Sequence, residues 1–476
     1  MDKKPLYITT TLPYVNASPH LGFALELIQA DALARFTRLM GREVFFNTGT
    51  DEHGQKVAQK AESLGMDVQA YTDQYAAEYG KLRELLNLSY DSFVRTTSEE
   101  HKIAATELWN RCTAAGDIYK KKYKGLYCVG DEMFLRDTDL VNGKCPNHPS
   151  MDPIEIEEEN YFFALSNYTD KLRTYLQNPA TIIPEWRREE AIAFVHNGLE
   201  DLSISRDSSR MSWGIPVPND ESQVMYVWFD ALTNYISGTG WPQEDGNFKK
   251  FWTEGETIQI AGKDQIRFQS IIWQAMLMSA KLSPSDTVFY HGFITSEGQK
   301  MSKSVGNVIS PLELVEKYGT EAARFMLLKH VHATDDTDIT WERLQDWYTA
   351  DLMNGIGNLT ARIMKLAETH LEKPIERPAA DGFSTEYTTA IDAFRMDQAL
   401  EYVWRRIGEL DEKITKTEPF KLVKTDSEAG KELITELVVE LYAIARMLNP
   451  FMPETNNAIK EAVLENKKPE NLFQRL

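Results

Sequence analysis

Short apolar runs alternate with amphipathic stretches through the first 330 residues. Strands are predicted at 6–10, 43–48, 258–261 and 288–291, and another begins at Met225 and leads into a helix through Tyr235. The first helix is predicted to begin with Ser18 as N-cap and Pro19 at its first position. Its apolar residues recur at helical spacing: Leu21, Ala24, Leu25, Ile28, Ala32 and Leu39. This alternation predicts an α/β fold with a doubly wound parallel sheet of the Rossmann type.

Two departures from this alternation predict further domains. A hairpin-like run over 119–127 interrupts the sheet, and after residue 344 every apolar pattern is helical, which is typical of a bundle. We therefore expect five segments: a first sheet half at 1–115, an inserted connective domain at 116–212, a second sheet half at 213–325, a linker at 326–345 and an all-α bundle at 346–476.

Composition narrows the class of protein. The 476 residues carry a net charge of −20, so a generally basic nucleic-acid binder is excluded and any such contact needs a local face. Three cysteines do not make a disulfide framework, which fits a reducing cytoplasm. No apolar run approaches the ~20 residues of a membrane span. We expect a cytoplasmic protein with no membrane partner.

Residues 298–306 read Gly-Gln-Lys-Met-Ser-Lys-Ser-Val-Gly and predict a mobile loop. A helix start follows, with Ser310 as N-cap, Pro311 and Glu313. Lys300 and Lys303 on such a loop could approach the charge that develops on a phosphate during its displacement. A solvated basic loop is the alternative.

Two further positions suit a charged ligand. His20 and Gly22 lie in the first turn of the predicted helix, where backbone N–H groups attract phosphate. Asp51 follows the second strand, in the crevice where sheets of this kind bind ligands, and could accept hydrogen bonds from an ammonium group. The alternatives are a capping histidine and an Asx turn.

Four residues in the insert have the spacing of a metal knuckle: Cys128, Asp131, Cys145 and His148. Two such pairs would suit tetrahedral zinc, although an aspartate oxygen binds zinc more weakly than a cysteine thiolate in its place would. Loss of the metal, with buried thiols remaining, is equally compatible with the sequence.

Several motifs together resemble one family. Lys300-Met-Ser-Lys-Ser and Pro19-His-Leu-Gly22 are similar to the two signatures of class I aminoacyl-tRNA synthetases. The runs 48–56, 158–163 and 201–206 resemble methionyl-tRNA synthetases in particular. The resemblance implies formation of methionyl-adenylate from methionine and Mg–ATP, followed by transfer of methionine to tRNA(Met), initiator tRNA included, in protein synthesis.

The resemblance also implies roles for single residues. His20, Lys300 and Lys303 would be catalytic. The ATP contacts would be His20, Gly22, Arg206, Lys263, Asp264, Lys300, Ser302 and Lys303. The methionine contacts would be Leu12, Tyr14, Asp51, Trp228, Ala231, Tyr235, Gln269 and Trp273. Asn358, Arg362 and Phe420 would read the anticodon, through base edges and stacking.

Some positions depart from the family pattern. Phe23 stands where a second histidine is usual, and Asp131 replaces a cysteine of the knuckle. Gln265, Gln269 and Gln274 replace isoleucine, histidine and proline on the helix that carries Trp273. A synthetase for another small apolar or sulfur amino acid, or a non-catalytic tRNA-binding relative, are therefore the alternative functions. The chain ends without the module that dimerises some relatives, and we expect a monomer.

Overall fold

The computed structural model describes residues 4–129, 133–135, 139–146, 148–301, 308–378 and 382–476, except the side chains of 133, 134 and 300. The chain divides into two compact units. One comprises Met1–Ser18, Arg42–Lys81 and Tyr90–Tyr290, and the other comprises Pro19–Gly41, Leu82–Ser89 and His291–Leu476. Within the described residues, every helix is too short or too polar to cross a membrane.

The sixteen strands, in chain order, are β1 Leu6–Thr10, β2 Val44–Thr50, β3 Ser92–Arg95, β4 Ile118–Cys128, β5 Met133–Leu135, β6 Ile154–Phe163, β7 Ile182–Ile183, β8 Leu202–Ser203, β9 Ser205–Asp207, β10 Pro216–Val217, β11 Asp220–Met225, β12 Glu256–Gly262, β13 Thr287–His291, β14 Ile294–Ser296, β15 Gln299–Lys300 and β16 Thr337–Asp338, counted over the described part of the chain.

The α-helices of the same residues are α1 Leu21–Leu39, α2 Gln55–Ser63, α3 Val68–Gly80, α4 Leu82–Leu85, α5 Glu99–Ala114, α6 Thr169–Gln177, α7 Glu185–His196, α8 Val227–Leu232, α9 Asn234–Ser237, α10 Trp273–Ser279, α11 Pro311–Tyr318, α12 Thr320–His330, α13 Trp341–Trp347, α14 Asn358–His370, α15 Thr385–Asp392, α16 Met396–Thr417, α17 Pro419–Thr425, α18 Ser427–Leu448 and α19 Pro453–Glu465. Wider π-helical turns occupy Phe248–Thr253, Phe268–Ile272 and Tyr348–Gly357.

The first unit is organised around a six-stranded sheet in the order β3-β2-β1-β12-β13-β7. The pairings β3–β2, β2–β1, β1–β12 and β13–β7 are parallel. All five residues of β1 are buried, because a strand in the middle of such a sheet is covered on both faces. The predicted doubly wound α/β fold is confirmed.

The sheet differs from the prediction at three strands. The strand expected to begin at Met225 instead ends there, as β11, and pairs antiparallel with β9 and β10 in a separate small sheet. β3 and β7 were missed. β7 has only two residues, and β3 has one buried residue, Val94, so neither carries a readable apolar run.

The inserted region contains a four-stranded antiparallel sheet in the order β5-β4-β6-β8. The predicted hairpin run over 119–127 is the long strand β4, which pairs with β6 from Ile118 opposite Phe163 to Tyr127 opposite Ile154. Lysines of β4 face glutamates of β6 along this pairing, Lys122 opposite Glu159 among them, which favours the antiparallel register.

The second unit is mainly helical. α1 packs on α12, and α14 to α19 form the predicted bundle, in which α18 contacts α14, α16, α17 and α19. The apolar pattern over 344–366 is not one helix, because the backbone leaves helical geometry at Gly355 (φ −84°, ψ −107°), just before α14 begins. A small sheet in the order β15-β14-β16 joins residues 294–300 to the linker.

Candidate active site, metal cluster and helical face

The segment that follows β1 and the residue that follows β2 lie side by side. Tyr14 and Asp51 form a parallel bridge in which the Asp51 N–H donates to the Pro13 carbonyl (3.0 Å) and the Val15 N–H donates to the Asp51 carbonyl (3.1 Å). The Asp51 side chain belongs to a residue only 4% exposed. Tyr14, expected beside the methionine side chain, and Asp51, expected to bind its ammonium group, are therefore adjacent at the carboxyl end of the sheet.

The residue after Asp51 is a second carboxylate, which is held by several hydrogen bonds. Glu52 is fully buried and accepts a bidentate pair of hydrogen bonds from Arg95 (2.7 and 2.8 Å), with Thr50 (2.6 Å) and Thr97 as further donors. Hydrogen bonding to Glu52 raises the pKa of Arg95 above its usual value. Sequence reasoning missed this pair, since Arg95 ends the unrecognised strand β3.

Aromatic rings line the two short helices after β11. Trp228 stacks on Phe268 with ring centroids 3.7 Å apart and an interplanar angle of 13°. Tyr235 and Trp273 pack at 5.7 Å in a tilted arrangement, and Ala231, on α8, is buried. Such rings can surround a polarisable thioether, although buried aromatics of this kind also occur in ordinary cores.

The glutamines that depart from the family pattern have different environments. Gln269 is buried and its Nε2 donates to the Tyr235 hydroxyl (2.5 Å), whereas Gln274 donates to the Gln269 carbonyl (2.8 Å). Gln265 is half-buried and donates to the Asp264 carboxylate (3.0 Å). Gln269 therefore bonds an expected methionine contact through its side chain, and Gln274 bonds the backbone of Gln269 itself.

Arg206, an expected ATP contact, lies in the interior of the first unit. It is buried, and its guanidinium lies over the Tyr226 ring (4.4 Å to the centroid) and donates to the Ser205 carbonyl (2.7 Å). Lys263 and Asp264 follow β12 at its carboxyl end in a short 3-10 turn, where Lys263 is half-buried and Asp264 exposed.

In the second unit, α1 begins two residues later than predicted. His20, not Ser18, is the N-cap, and its Nδ1 accepts a hydrogen bond from the Phe23 N–H (3.2 Å). Because Nδ1 is an acceptor, a neutral His20 carries its proton on Nε2 and can donate from there. The ring also lies against Gly22, where a Cβ would stand 3.1 Å from Nδ1. Phe23 is buried.

Lys300 belongs to a tight hairpin. Thr295 and Lys300 are paired across β14 and β15, and the turn between them places Glu297 (φ +55°) and Gly298 (φ +70°) in the left-handed region. Asp338 on β16 accepts hydrogen bonds from the Gly298 N–H (2.7 Å) and the Thr295 hydroxyl (3.1 Å). Ser302 and Lys303 lie outside the described residues. The capping box predicted at Ser310 and Glu313 is present.

Three of the four knuckle residues lie together. One ligand atom from each of Cys128, Cys145 and His148 lies within 4.8 Å of the other two, and Cys128 Sγ is 3.8 Å from His148 Nδ1. Both cysteines are buried in a small cluster with Leu135. This donor set is typical of zinc. Asp131, the fourth expected ligand, lies outside the described residues.

The expected anticodon residues lie on two helices of the bundle. Asn358 is exposed at the start of α14, and Arg362, one turn later, forms an ion pair with Asp411 of α16. Phe420 is 43% exposed on α17, with Lys421 Nζ 5.9 Å from the centre of its ring.

Comparison with known proteins defines the class. Residues 6–152 and 149–364 match the family model described as tRNA synthetases class I (M). Together with the doubly wound sheet and the helical second unit, this makes the chain a class I aminoacyl-tRNA synthetase, and hence a ligase.

Proteins similar to this chain narrow the family further. The methionine--tRNA ligase of Mycobacterium bovis is 42% identical over 96% of this chain and 91% of its own, and that of Rhizobium meliloti is 41% identical over 97% and 92%. The structure of Mycobacterium tuberculosis methionyl-tRNA synthetase in complex with methionyl-adenylate is similar with a TM-score of 0.89, at 39% identity over 96% of this chain and 93% of that one. The chain belongs to the methionyl-tRNA synthetase family, which confirms the resemblance carried by its motifs.

Proposed function

We propose that this chain activates L-methionine with ATP to methionyl-adenylate and pyrophosphate, and then transfers methionine to the 3′ end of tRNA(Met), for initiation and elongation. The methionine carboxylate attacks the α-phosphate of the Mg–ATP substrate, and a ribose hydroxyl of the terminal adenosine then takes the methionyl group. Family membership and the contact between Tyr14 and Asp51 at the sheet edge support this proposal most directly.

Methionine binding is assigned to the first unit. The Asp51 carboxylate and the backbone at Leu12 hold the ammonium and carboxylate end of the substrate. The thioether lies among Tyr14, Trp228, Ala231, Tyr235, Gln269 and Trp273. A sulfur–aromatic contact contributes about 0.3–1.5 kcal/mol, and an uncharged aromatic site disfavours lysine or glutamate side chains.

The triphosphate is held by residues of both signatures. His20 donates to a phosphate oxygen from Nε2. This nitrogen carries the proton of the neutral ring, because Nδ1 caps helix α1 as an acceptor. Lys300 and Lys303 neutralise charge that develops on the phosphates, and Gly22, Arg206, Lys263, Asp264 and Ser302 complete the ATP contacts. Catalysis of this kind rests on placement and electrostatic stabilisation.

The zinc knuckle is proposed to be retained. Two thiolates and an imidazole with ligand atoms this close fit tetrahedral zinc, and Asp131 supplies a fourth, oxygen ligand. When bound, the metal fixes the fold of the insert. No catalytic step is assigned to it.

The remaining proposals concern tRNA and organisation. Asn358, Arg362 and Phe420 read the anticodon on the bundle, with Asn358 and Arg362 one helical turn apart. The five segments proposed from the sequence, 1–115, 116–212, 213–325, 326–345 and 346–476, act as catalytic halves, connective insert, stem-contact linker and anticodon-binding bundle. The enzyme works in the cytoplasm as a monomer.

Amino-acid-dependent exchange of pyrophosphate with ATP tests the first step, followed by charging of initiator and elongator tRNA(Met). Exchange that is strongest with methionine is the expected result. Stronger exchange with another amino acid would favour a synthetase for that substrate, motivated by Gln269. Absence of both exchange and charging, with tRNA binding intact, would favour the non-catalytic relative, motivated by Phe23.

A further inference from the structure

A fully buried carboxylate, Asp230, is held between two buried histidines. His53 Nδ1 lies 2.6 Å from Asp230 Oδ2, and His101 Nε2 lies 2.8 Å from Asp230 Oδ1. The other ring nitrogen of His101, Nδ1, is 2.9 Å from the Ser237 hydroxyl. The four residues are 9% exposed or less, and we call them the buried clamp.

The proton positions follow from the donors available. An ionised carboxylate only accepts hydrogen bonds, so the histidine nitrogens that face Asp230 both carry protons. When His101 is neutral, its Nδ1 accepts and the Ser237 hydroxyl donates to it. Burial alone would raise the pKa of Asp230, but His53 and His101 outweigh burial and hold it at about 2. The carboxylate is therefore ionised and satisfied at neutral pH.

The clamp connects four segments of the chain, and three of its four residues lie within two positions of an expected methionine contact. His53 stands two positions after Asp51, beyond the end of β2. Asp230 stands between Trp228 and Ala231 on α8. The other two members, His101 and Ser237, belong to α5 and α9, and Ser237 is two positions after Tyr235.

We propose that the buried clamp sets the position of the ammonium-binding carboxylate, Asp51, relative to the side-chain pocket on α8 and α9, with Asp230 as its positioning residue. This inference rests on the proposed function. The clamp touches no substrate and acts only through the backbone that it fixes. A bound amino acid must satisfy Asp51 and the aromatic pocket at once, so an error of about 1 Å between them weakens methionine binding.

Asp230→Asn is the direct test, because the amide has the shape of the carboxylate but replaces one acceptor oxygen by an NH2 donor. One histidine then faces a donor and must accept, which forces the other tautomer or breaks a hydrogen bond. We expect the KM for methionine in pyrophosphate exchange to rise about ten- to a hundredfold, the loss typical of a hydrogen bond to a charged group. The KM for ATP should change less than about twofold, because the substitution weakens binding of methionine only.

His101 offers a matched pair of variants should Asp230→Asn fail to fold. Gln places an amide nitrogen near the position of Nε2 and can still donate to Asp230, whereas Leu fills the volume without a donor. Methionine KM should stay within about threefold for His101→Gln and rise at least about tenfold for His101→Leu. Asp117→Asn is the control. Asp117 is also a buried carboxylate, bonded to Tyr168 and Ser279, which lie outside the expected methionine contacts.

The outcomes separate the two proposals. A wild-type chain without methionine-dependent exchange would contradict the proposed function itself. With wild-type exchange present, equal changes in the KM for methionine and ATP, or the same KM shift in Asp117→Asn, would overturn the positioning role. So would a His101→Gln variant as impaired as His101→Leu. A rise confined to the KM for methionine, partly rescued by Gln, is the result that supports it.

Discussion

The Asp338 carboxylate accepts a hydrogen bond from the backbone N–H of Gly298 at 2.7 Å and thereby ties the linker strand β16 to the turn before Lys300. Its second bond, from the Thr295 hydroxyl, reaches the residue paired with Lys300. The turn also carries Glu297 at φ +55°, which a side chain disfavours, so an external acceptor helps to hold it.

Removal of this acceptor should slow the first reaction step. In Asp338→Ala, Lys300 loses its fixed register, and we expect kcat for pyrophosphate exchange to fall about tenfold, which corresponds to ~1.4 kcal/mol of transition-state stabilisation. The KM for methionine should be unchanged. Asp346→Ala, an exposed carboxylate on α13, is the control. Equal kcat values for the two variants would contradict a role for Asp338 in placing the hairpin.

Gln269 should govern recognition of the substrate sulfur. Gln269 Nε2 donates to the Tyr235 oxygen and so orients an expected methionine contact, and the thioether sulfur is a weak hydrogen-bond acceptor. In Gln269→Leu this order is lost, and we expect the KM for methionine to rise about tenfold, with Gln269→His within about threefold because imidazole can keep a donor.

Norleucine, which lacks the sulfur, provides the comparison for this prediction. Exchange with norleucine should change little in Gln269→Leu, so the preference for methionine over norleucine should fall. A preference that is the same in the wild type and Gln269→Leu would exclude Gln269 as a determinant.

Local sequence pattern was sufficient where the structure depends on neighbours along the chain. The apolar periodicity predicted α1 and the bundle, and the Ser310–Glu313 capping box was read correctly. The start of α1 was misplaced because Ser18 followed by Pro19 matches the usual start signal, whereas the side chain that caps the helix is His20, the capping histidine considered as an alternative.

Contacts between distant segments were not predictable in this way. The Glu52–Arg95 pair joins the ends of two strands, and the buried clamp joins residues 53, 101, 230 and 237. In the sequence, the carboxylates, the arginine and the histidines of these contacts look like ordinary surface residues, because their partners are supplied only by the fold. Asp51 was expected to bind a ligand because it follows a parallel strand at its carboxyl end, where such sheets bind ligands. The other expected methionine contacts came from the family resemblance.

A buried ion pair in the second unit should dominate its stability. Arg324 is fully buried, lies 2.8 Å from Asp31 and also donates to the carbonyls of Leu86, Pro450 and Phe451. Arg324→Met removes one partner and leaves the other charge buried, so we expect a loss of about 3–5 kcal/mol in the free energy of unfolding at pH 7.

This loss should depend on pH. Burial would raise the pKa of Asp31, but Arg324 and then Arg35 outweigh it and lower the pKa below its usual value. A lowered folded pKa stabilises the fold above the unfolded value of about 3.9, and that stability is lost as the pH falls through the lower folded value. The gap between wild type and Arg324→Met should therefore shrink below about pH 4.

Urea unfolding at about pH 7, 5 and 3.5 measures this gap, since two of these values lie above the reference carboxyl pKa and one lies below it. Arg405→Met is the control, since the exposed pair of Arg405 and Glu386 contributes little. A gap that stays constant across these pH values would contradict the role of Asp31.

Zinc content tests the knuckle independently of activity. Cys145→Ser removes a thiolate from the cluster and should lower the zinc content of the purified protein, measured by mass spectrometry. Asp131→Cys should raise it, since thiolate is a stronger zinc ligand than a carboxylate oxygen. Cys112→Ser is the control, because Cys112 is buried on α5, outside the cluster. Zinc contents that do not differ among the variants would indicate that the metal has been lost.

The Arg362–Asp411 ion pair provides the last test, on the tRNA side. If Arg362 binds a base edge, tRNA must compete with Asp411 for the guanidinium. Arg362→Ala and Phe420→Ala should raise the KM for tRNA in charging about ten- to a hundredfold, as expected for a lost base contact or stacked base, and leave pyrophosphate exchange unchanged. Asp411→Asn should instead lower that KM, because it frees the guanidinium and removes a negative charge near the RNA.

Arg405→Ala, a substitution of an exposed arginine on α16, controls for general loss of positive charge. A KM for tRNA that rises equally in Arg405→Ala and Arg362→Ala would mean that the bundle attracts tRNA by charge alone.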